Sequence, residues 1–193
     1  MEILHLFYKN SNTPVHLRQL SRLVELKEGP LSRHLNKLEL DKILVSKKDG
    51  NLKKYCIKKG QEKYIYPFFD FKRFDSLPIE AKNALKFYKK ALKEKPVFII
   101  LFGSRAKETA NKYSDIDLVC VFNKKTRTAD ARRYAEAQTD INISEFQMNF
   151  SSFVKELKMK QDEVVQAAIE TGYPVYNHLY YYEVVHDERE NAF

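Results

Sequence analysis

Apolar residues recur at helical spacing in three segments of the first 40 residues, and polar breaks separate them. The segment 1–8 predicts a first helix. Thr13 followed by Pro14 is typical of a helix start, with Thr as the cap and Pro in the first turn, so we expect a second helix that runs to about residue 26. Leucines at positions 31, 35 and 38 predict a third helix over 30–40.

Two short apolar runs follow, at 43–46 and 53–57, and the pair Asp49-Gly50 lies between them. This pattern predicts a β-hairpin with a type I′ turn. Helices, a short turn, a further helix and a hairpin form the plan of a winged helix-turn-helix domain. The run 29–45 resembles the recognition helix and following strand of prokaryotic winged-helix transcription regulators.

The outward side chains of the third predicted helix are suited to reading DNA. Arginine can pair with guanine and asparagine with adenine in the major groove, while lysines of the wing neutralise phosphates. A domain of this kind used only for protein contacts is the alternative. The predicted DNA-contacting residues are Ser32, Arg33, His34, Asn36 and Lys37 on the helix and Lys48, Asn51 and Lys53 on the wing, where Lys47 and Lys54 also lie.

Residues 61–78 are rich in aromatic side chains interleaved with lysine and arginine. Such a segment can provide a base-stacking platform. Packing between domains or between two copies of the chain is the interpretation that we favour, because so many phenylalanines do not suit a flexible linker.

The second half of the chain alternates predicted helices and strands. Helices are expected over 79–95, 128–138 and 176–185, and strands over 97–102, from Asp115 onward, and over 140–148.

The turn after the first of these strands has the residues of a phosphate site. Gly103 has no Cβ and lets the backbone approach a bulky anion. Ser104 is a good N-cap and offers a hydroxyl, and the helix that it begins presents N–H groups with a positive dipole. Arg105 can add a charge-assisted contact to a phosphate.

Asp115 and Asp117 begin the next strand, and their spacing places both carboxylates on one face, as ligands suited to Mg²⁺. With Gly103, Ser104, Arg105 and Ser114, they resemble the motif of the DNA polymerase beta-like nucleotidyltransferases, most closely the small minimal nucleotidyltransferases. The resemblance covers roughly residues 80–175. It implies that a nucleoside triphosphate binds at Gly103, Ser104, Arg105 and Ser114, with Mg²⁺, in one or two metal sites, on the aspartates.

Two positions depart from this family. Glu108 stands where the family usually has glycine. The family's third carboxylate falls on Asn142, an uncharged ligand that cannot act as a base. Asp140 shares the face of Asn142 by strand parity and could replace that acid near a second metal, while Glu145 is expected on the opposite face. An active transferase and a domain that only binds nucleotide remain equally open.

The formal charge of +8 favours a polyanionic partner, although a lysine-rich surface alone would also give it. No apolar run is long enough to span a bilayer, no signal segment is evident, and Cys56 and Cys120 lie in strand-like runs as reduced core residues would. We therefore expect a cytoplasmic protein without a membrane partner.

Together these patterns predict an α+β chain of two domains. Residues 1–60 would form a winged helix-turn-helix domain that binds double-stranded DNA, 61–78 a connector, and 79–193 a small nucleotidyltransferase-like α/β domain with a mixed sheet and C-terminal helices. The predicted function is that of a DNA-binding transcription regulator, expected as a homodimer, that binds a nucleoside triphosphate with Mg²⁺ and either transfers or only senses it. The alternative is an antitoxin-like nucleotidyltransferase with a co-encoded partner protein.

Overall fold

The computed structural model describes residues 2–10 and 13–188. These residues divide into two compact units, 2–69 and 70–188. The ends of the predicted domains at residues 1 and 189–193, and the positions 11 and 12, lie outside the described residues.

The first unit places three helices around a small antiparallel sheet with strand order β1-β3-β2. The core of this unit contains fully buried leucines of these helices, among them Leu20, Leu31 and Leu35. The elements are α1 (Glu2–Lys9), β1 (Val15–His16), α2 (Leu17–Leu23), α3 (Glu28–Leu40), β2 (Leu44–Asp49) and β3 (Leu52–Ile57).

Two local expectations for this unit are wrong. The second helix begins at Leu17 and not at Pro14, because Val15 pairs with Tyr55 as part of β1 and the His16 ring accepts the Gln19 N–H as the cap. The hairpin turn is made by residues 50 and 51, since Asp49 still pairs with Leu52.

The hairpin turn is also of a different type from the one expected. Gly50 has a positive φ of 59°, whereas the φ of Asn51 is not positive. A type I′ turn needs positive φ at both central residues, so this turn is not of type I′. A type II′ turn needs positive φ only at the first central residue, where glycine is preferred, and the φ angles here agree with that type.

The aromatic segment 61–78 contains one helix, α4 (Glu62–Ser76), with Pro67 inside it. Tyr66 and Phe69 are buried, while Tyr64 and Phe68 are exposed. The division between the two units falls within this helix, after Phe69.

The second unit contains a four-stranded mixed sheet of order β6-β5-β4-β7, in which only the β5–β6 pair is parallel. The mixed sheet expected for this part of the chain is therefore present. After α4 the elements are α5 (Ile79–Ala91), β4 (Phe98–Phe102), α6 (Gly103–Ala106), β5 (Ile116–Phe122), α7 (Ala129–Thr139), β6 (Ile143–Asn149), α8 (Phe150–Met159), α9 (Glu163–Thr171), β7 (Tyr173–Tyr176) and α10 (His178–Glu188).

Apolar side chains cover both faces of this sheet. On one face, Leu101 and Leu118 join buried residues of α5 and α7 in a single core. On the other face, the Phe98 ring lies 4.9 Å from that of Phe153 in α8 and 5.4 Å from that of Tyr181 in α10. Since strand residues alternate between faces, β5 presents Asp117 on the side of Val119 and away from Leu118.

Two predicted boundaries in this unit are wrong. Helix α5 ends at Ala91, four residues before the expected end, with the extended Leu92 as its cap. The strand expected from Asp140 begins at Ile143, because Asp140 ends α7 in the left-handed conformation with a φ of 53°. Strand parity therefore does not place Asp140 on the face of Asn142.

Candidate functional site

A tight turn between β4 and α6 lies directly against the carboxylate of Asp117. Gly103 has a φ of 70°, and a Cβ at this residue would lie 2.1 Å from Asp117 Oδ2. Phe102 pairs with Asp117 across the two antiparallel strands, which explains the contact. Only glycine tolerates both the backbone conformation and the approach, so the turn and the carboxylate form one structural unit.

Ser104 is not the helix cap that its sequence position predicts. The cap residue of α6 is Phe102, so Ser104 lies within the first turn of the helix and is half-buried. Its carbonyl accepts the Thr109 N–H at 3.0 Å, which fixes the loop that follows. The first N–H groups of a helix have no acceptor within the helix. Gly103, the first residue of α6, lies against the Asp117 carboxylate.

Arg105 is buried, and its guanidinium holds the start of β5. Nε donates to the Asp115 carbonyl at 3.0 Å, and a terminal nitrogen donates to the Ser114 carbonyl. Burial lowers the pKa of Arg105, while the negative charges of Asp115 and Asp117 raise it. The side chain therefore positions the two aspartates, and its predicted contact to a phosphate would have to be made by donors that these carbonyls do not use.

The two aspartates interact electrostatically at this edge of the sheet. Asp115 lies one residue before β5 and is exposed, whereas Asp117 lies on the strand and is half-buried. Burial and then the charge of Asp115 raise the pKa of Asp117, and Arg105 lowers it. Two carboxylates that repel each other beside a helix start are a donor set that a divalent cation would stabilise.

Ser114 orders the loop that leads to the aspartates. Its hydroxyl oxygen accepts the Asn111 N–H at 2.9 Å, and the Asn111 side chain accepts the Tyr113 N–H at 2.8 Å. In this arrangement Ser114 supports the loop, and its predicted contact to a nucleotide stays a prediction.

The residues considered for the role of the third carboxylate lie in different places in the structure. The Asn142 carbonyl accepts the Ile116 N–H at 2.9 Å, next to the aspartates, and the exposed Ser144 pairs with Asp117 on the neighbouring strand. Glu145 pairs with Leu118 and therefore faces away, as expected. No group of three or more His, Cys, Asp or Glu suited to a metal occurs among residues 2–10 and 13–188. Asp115 and Asp117 are thus the two carboxylates of the predicted metal site at this edge, and the backbone of Asn142 lies beside them.

Arg73 contributes to this region and was missed by the sequence analysis, which treated it as one cation of the aromatic segment. Its guanidinium donates to the carbonyls of Ala106 at 2.8 Å and Thr171 at 3.0 Å. It also lies 4.2 Å from the ring centre of Tyr173. Arg73 therefore joins the ends of α6 and α9, and nothing in the local sequence indicates this long-range role.

The residues predicted to contact DNA lie in the first unit. On α3, Leu31 and Leu35 are buried and Leu38 is half-buried. Of the residues predicted to contact DNA on this helix, Ser32 is half-buried, and Arg33, His34, Asn36 and Lys37 are exposed. The predicted outward face of α3 is therefore accessible within this unit, except for Ser32.

The lysines of the hairpin differ in their environments. Lys48 and Asn51 are exposed. Lys53 is half-buried, and its Nζ lies 2.8 Å from Glu39 Oε2, a contact that raises the pKa of Lys53 and lowers that of Glu39. Lys54 Nζ lies 2.6 Å from Asp49 Oδ2. Part of the positive charge expected on the wing is thus neutralised by neighbouring carboxylates.

The Gly103 turn and the paired aspartates, which carry the resemblance to nucleotidyltransferases, lie together in the structure. Residues 79–173 match the model of the family described as "Nucleotidyltransferase domain". The match agrees with the resemblance of the motif and supports a nucleotidyltransferase-like fold for this part of the chain. A search of curated proteins finds no match to the chain.

Proposed function

We propose that the second unit binds a nucleoside triphosphate and transfers its nucleotidyl group to an acceptor. The observation that carries this proposal is the contact of the Gly103 turn with Asp117, beside Asp115. It supports a site in which backbone N–H groups and the Ser104 hydroxyl hold phosphate oxygens next to a pair of carboxylates. The family match over residues 79–173 supports nucleotidyl transfer as the reaction class.

Asp115 and Asp117 are the residues that would hold Mg²⁺. When bound, Mg²⁺ would neutralise charge on the phosphates of the substrate and on the pair of aspartates. Arg105 keeps the carbonyls of Ser114 and Asp115 in place and so fixes the direction of the Asp115 side chain. The turn at Gly103 would bring the phosphates close to Asp117, because the missing Cβ lets the backbone lie against this carboxylate.

The donor set leaves a binding-only function open. Asn142 carries no charge, and Asp140 ends helix α7 instead of lying on the strand. A general base for the acceptor would therefore have to come from one of the two aspartates or from the acceptor itself. Without such a base, the domain would sense a nucleotide and not turn it over.

Incubation with α-labelled nucleoside triphosphates and Mg²⁺ tests this proposal. Label transfer and pyrophosphate release should occur with the wild type and disappear in the double variant Asp115→Asn/Asp117→Asn. Glu145→Gln is the matched control, because this carboxylate faces the opposite side of the sheet, and it should retain activity. Nucleotide binding without turnover would support the sensor, and absence of both would refute a nucleotide site.

We further propose that the first unit is a winged-helix domain that binds double-stranded DNA. Residues 1–69 contain 14 Lys and Arg against 7 Asp and Glu, so they carry +7 of the chain's formal +8. Its element order and its sheet order β1-β3-β2 are compatible with this domain type. The exposed Arg33 and Asn36 on α3 support base contacts in the major groove.

Binding of random and selected duplexes by single variants tests this second proposal. Arg33→Ala and Asn36→Ala should each weaken binding by about 1–3 kcal/mol and relax the sequence preference. Arg22→Ala is the control, because this exposed arginine lies on α2. Equal losses of affinity on all sequences would mean that both residues contact the DNA backbone and not the bases. Unchanged affinity would reject this interface.

A homodimer, a co-encoded partner protein and a cytoplasmic location remain predictions. A nucleotide-responsive regulator would use both proposed sites. An antitoxin-like protein that neutralises its partner protein would need only the second unit. Among residues 2–10 and 13–188, no helix has the length and apolar character needed to cross a membrane.

A further inference from the structure

The second unit contains a cavity of about 760 Å³ that is separate from the aspartate pair. Its walls come from the junction of α4 and α5, the loop 107–113 and the end of α7. Neither Asp115 nor Asp117 lines it. Arg105 forms part of the wall, and its guanidinium is directed to the carbonyls of Ser114 and Asp115.

Several of the residues that line this cavity are apolar. Leu77 is 8% exposed, and Ala110 and Ile141 are half-buried. Tyr113, which is 79% exposed, adds an aromatic ring to the lining. A volume of this size with a mostly apolar wall and a few polar groups is typical of a small-molecule site.

Three carboxylates line the cavity. Glu80, Glu108 and Asp140 all line it and are exposed. Two cations, Arg105 and Lys112, also line the cavity. Arg105 interacts with Asp115 and Asp117, and Lys112 Nζ lies 4.8 Å from the ring centre of Tyr113. The lining thus carries three carboxylates against two cations, and this excess of negative charge favours a cation over an anion.

We propose that this cavity binds a small organic cation, an amine carried on an apolar or aromatic body. The body would pack against Leu77 and Ile141, while the ammonium group would contact the carboxylates of Glu108 and Asp140. Such a ligand differs in charge from the nucleotide proposed for the aspartate site, and neither aspartate of that site lines the cavity.

Titration of the full chain with phenethylamine, followed by ¹H–¹⁵N NMR, tests this site. We expect saturable binding with a Kd of about 1–10 mM, a range usual for so small a ligand, and amide shifts at Glu108 and Ile141. Phenylacetate has the same ring and the opposite charge, so it should bind at least tenfold more weakly. Phenylethanol, the neutral analogue, should lie between them.

Variants separate this cavity from the nucleotide site. Glu108→Gln and the double variant Glu80→Gln/Asp140→Asn should each weaken phenethylamine binding at least threefold, because exposed carboxylates are removed without changing the core. Ile141→Trp should block the cavity. Asp115→Asn/Asp117→Asn should bind phenethylamine within twofold of wild type, whether or not the chain binds nucleotide.

The outcomes that overturn this proposal are independent of nucleotide transfer. Equal binding of phenylacetate and phenethylamine would remove the charge selection. Absence of saturable phenethylamine binding, or binding that none of the carboxylate variants weakens, would show that the cavity is not an amine site.

Discussion

At the scale of single residues, Gly103 is constrained by its own backbone and by Asp117. Its φ of 70° is left-handed, and a Cβ would lie 2.1 Å from Asp117 Oδ2. Relief of this clash would require the carboxylate to move, and with it the geometry of the site. Stability and function therefore depend on the same missing side chain.

We expect Gly103→Ala to lower the free energy of unfolding by about 1–3 kcal/mol and to weaken Mg²⁺-dependent nucleotide binding at least tenfold. Urea unfolding and nucleotide titration measure the two effects. Gly29→Ala is the control, because no atom lies within 4 Å of its added Cβ and its φ is not positive. Within helix α3 that change should leave stability unchanged or raise it by up to about 1 kcal/mol. Equal behaviour of both variants would contradict the steric argument.

Glu108 has the backbone conformation of a glycine. Its φ is 59°, in the left-handed region that favours glycine. Glu108→Gly should therefore be more stable than Glu108→Ala by about 1 kcal/mol, since both remove the side chain and only glycine relieves the strain. Thermal unfolding of the two variants measures the difference. If alanine were equally stable, the left-handed conformation would carry no strain at this residue.

The raised pKa of Asp117 makes the stability of the protein depend on pH. Burial and Asp115 hold this pKa above the ordinary value of 3.8. Between the ordinary and the raised pKa, the folded state binds more protons than the unfolded state, so the free energy of unfolding falls as pH rises through that window. Asp117→Asn should therefore be more stable than wild type at about pH 7, and the gain should vanish at about pH 3.

Asp130→Asn is a control of opposite sign for this prediction. The hydrogen bond from Arg133 lowers the pKa of Asp130, so this carboxylate contributes stability above its ordinary pKa that is lost as pH falls. Its removal should slightly destabilise the protein at neutral pH. Urea unfolding at both pH values compares the variants, and a destabilised Asp117→Asn at neutral pH would refute the assigned repulsion.

At the scale of elements, a buried hydrogen bond fastens α10 to α4 within the second unit. Asp70 is 0% exposed, and the Tyr182 hydroxyl donates to both of its oxygens at 3.0 and 2.9 Å. Tyr182→Phe should lower the free energy of unfolding by about 1–3 kcal/mol, because a buried acceptor loses a donor. Tyr180→Phe, at an exposed tyrosine of the same helix, should change it by less than about 0.5 kcal/mol. Equal losses, measured by urea unfolding, would contradict this assignment.

The elements also show what sequence patterns could predict. Leucine spacing indicated α3 correctly, because one face of that helix packs against its own unit. The Gly103 turn and the two aspartates were found because their chemistry lies in consecutive segments. Asp140 was misplaced, since an aspartate in left-handed conformation at a helix end has no apolar pattern to mark it. The role of Arg73 depends on carbonyls 33 and 98 residues away, which no local pattern encodes.

At the scale of the whole molecule, the formal charge is divided unequally between the two units. Residues 1–69 carry +7 and the remainder +1. The positive charge therefore belongs to the unit proposed to bind DNA, and the nucleotidyltransferase-like unit is close to neutral. A lysine-rich surface spread evenly over the chain would not produce this division, which favours a polyanionic partner for the first unit.

The salt dependence of DNA binding tests which lysines act on phosphates. Each lysine that neutralises a phosphate adds about 0.9 to the slope of log K against log salt concentration. Lys47 and Lys48 are exposed, so Lys47→Ala/Lys48→Ala should reduce the slope by about 2. Lys53 and Lys54 already face Glu39 and Asp49, and their double alanine variant should reduce it by less. Fluorescence anisotropy at several salt concentrations gives both slopes. Equal reductions would mean that DNA displaces the two carboxylates, and an unchanged slope in both would exclude the hairpin from the interface.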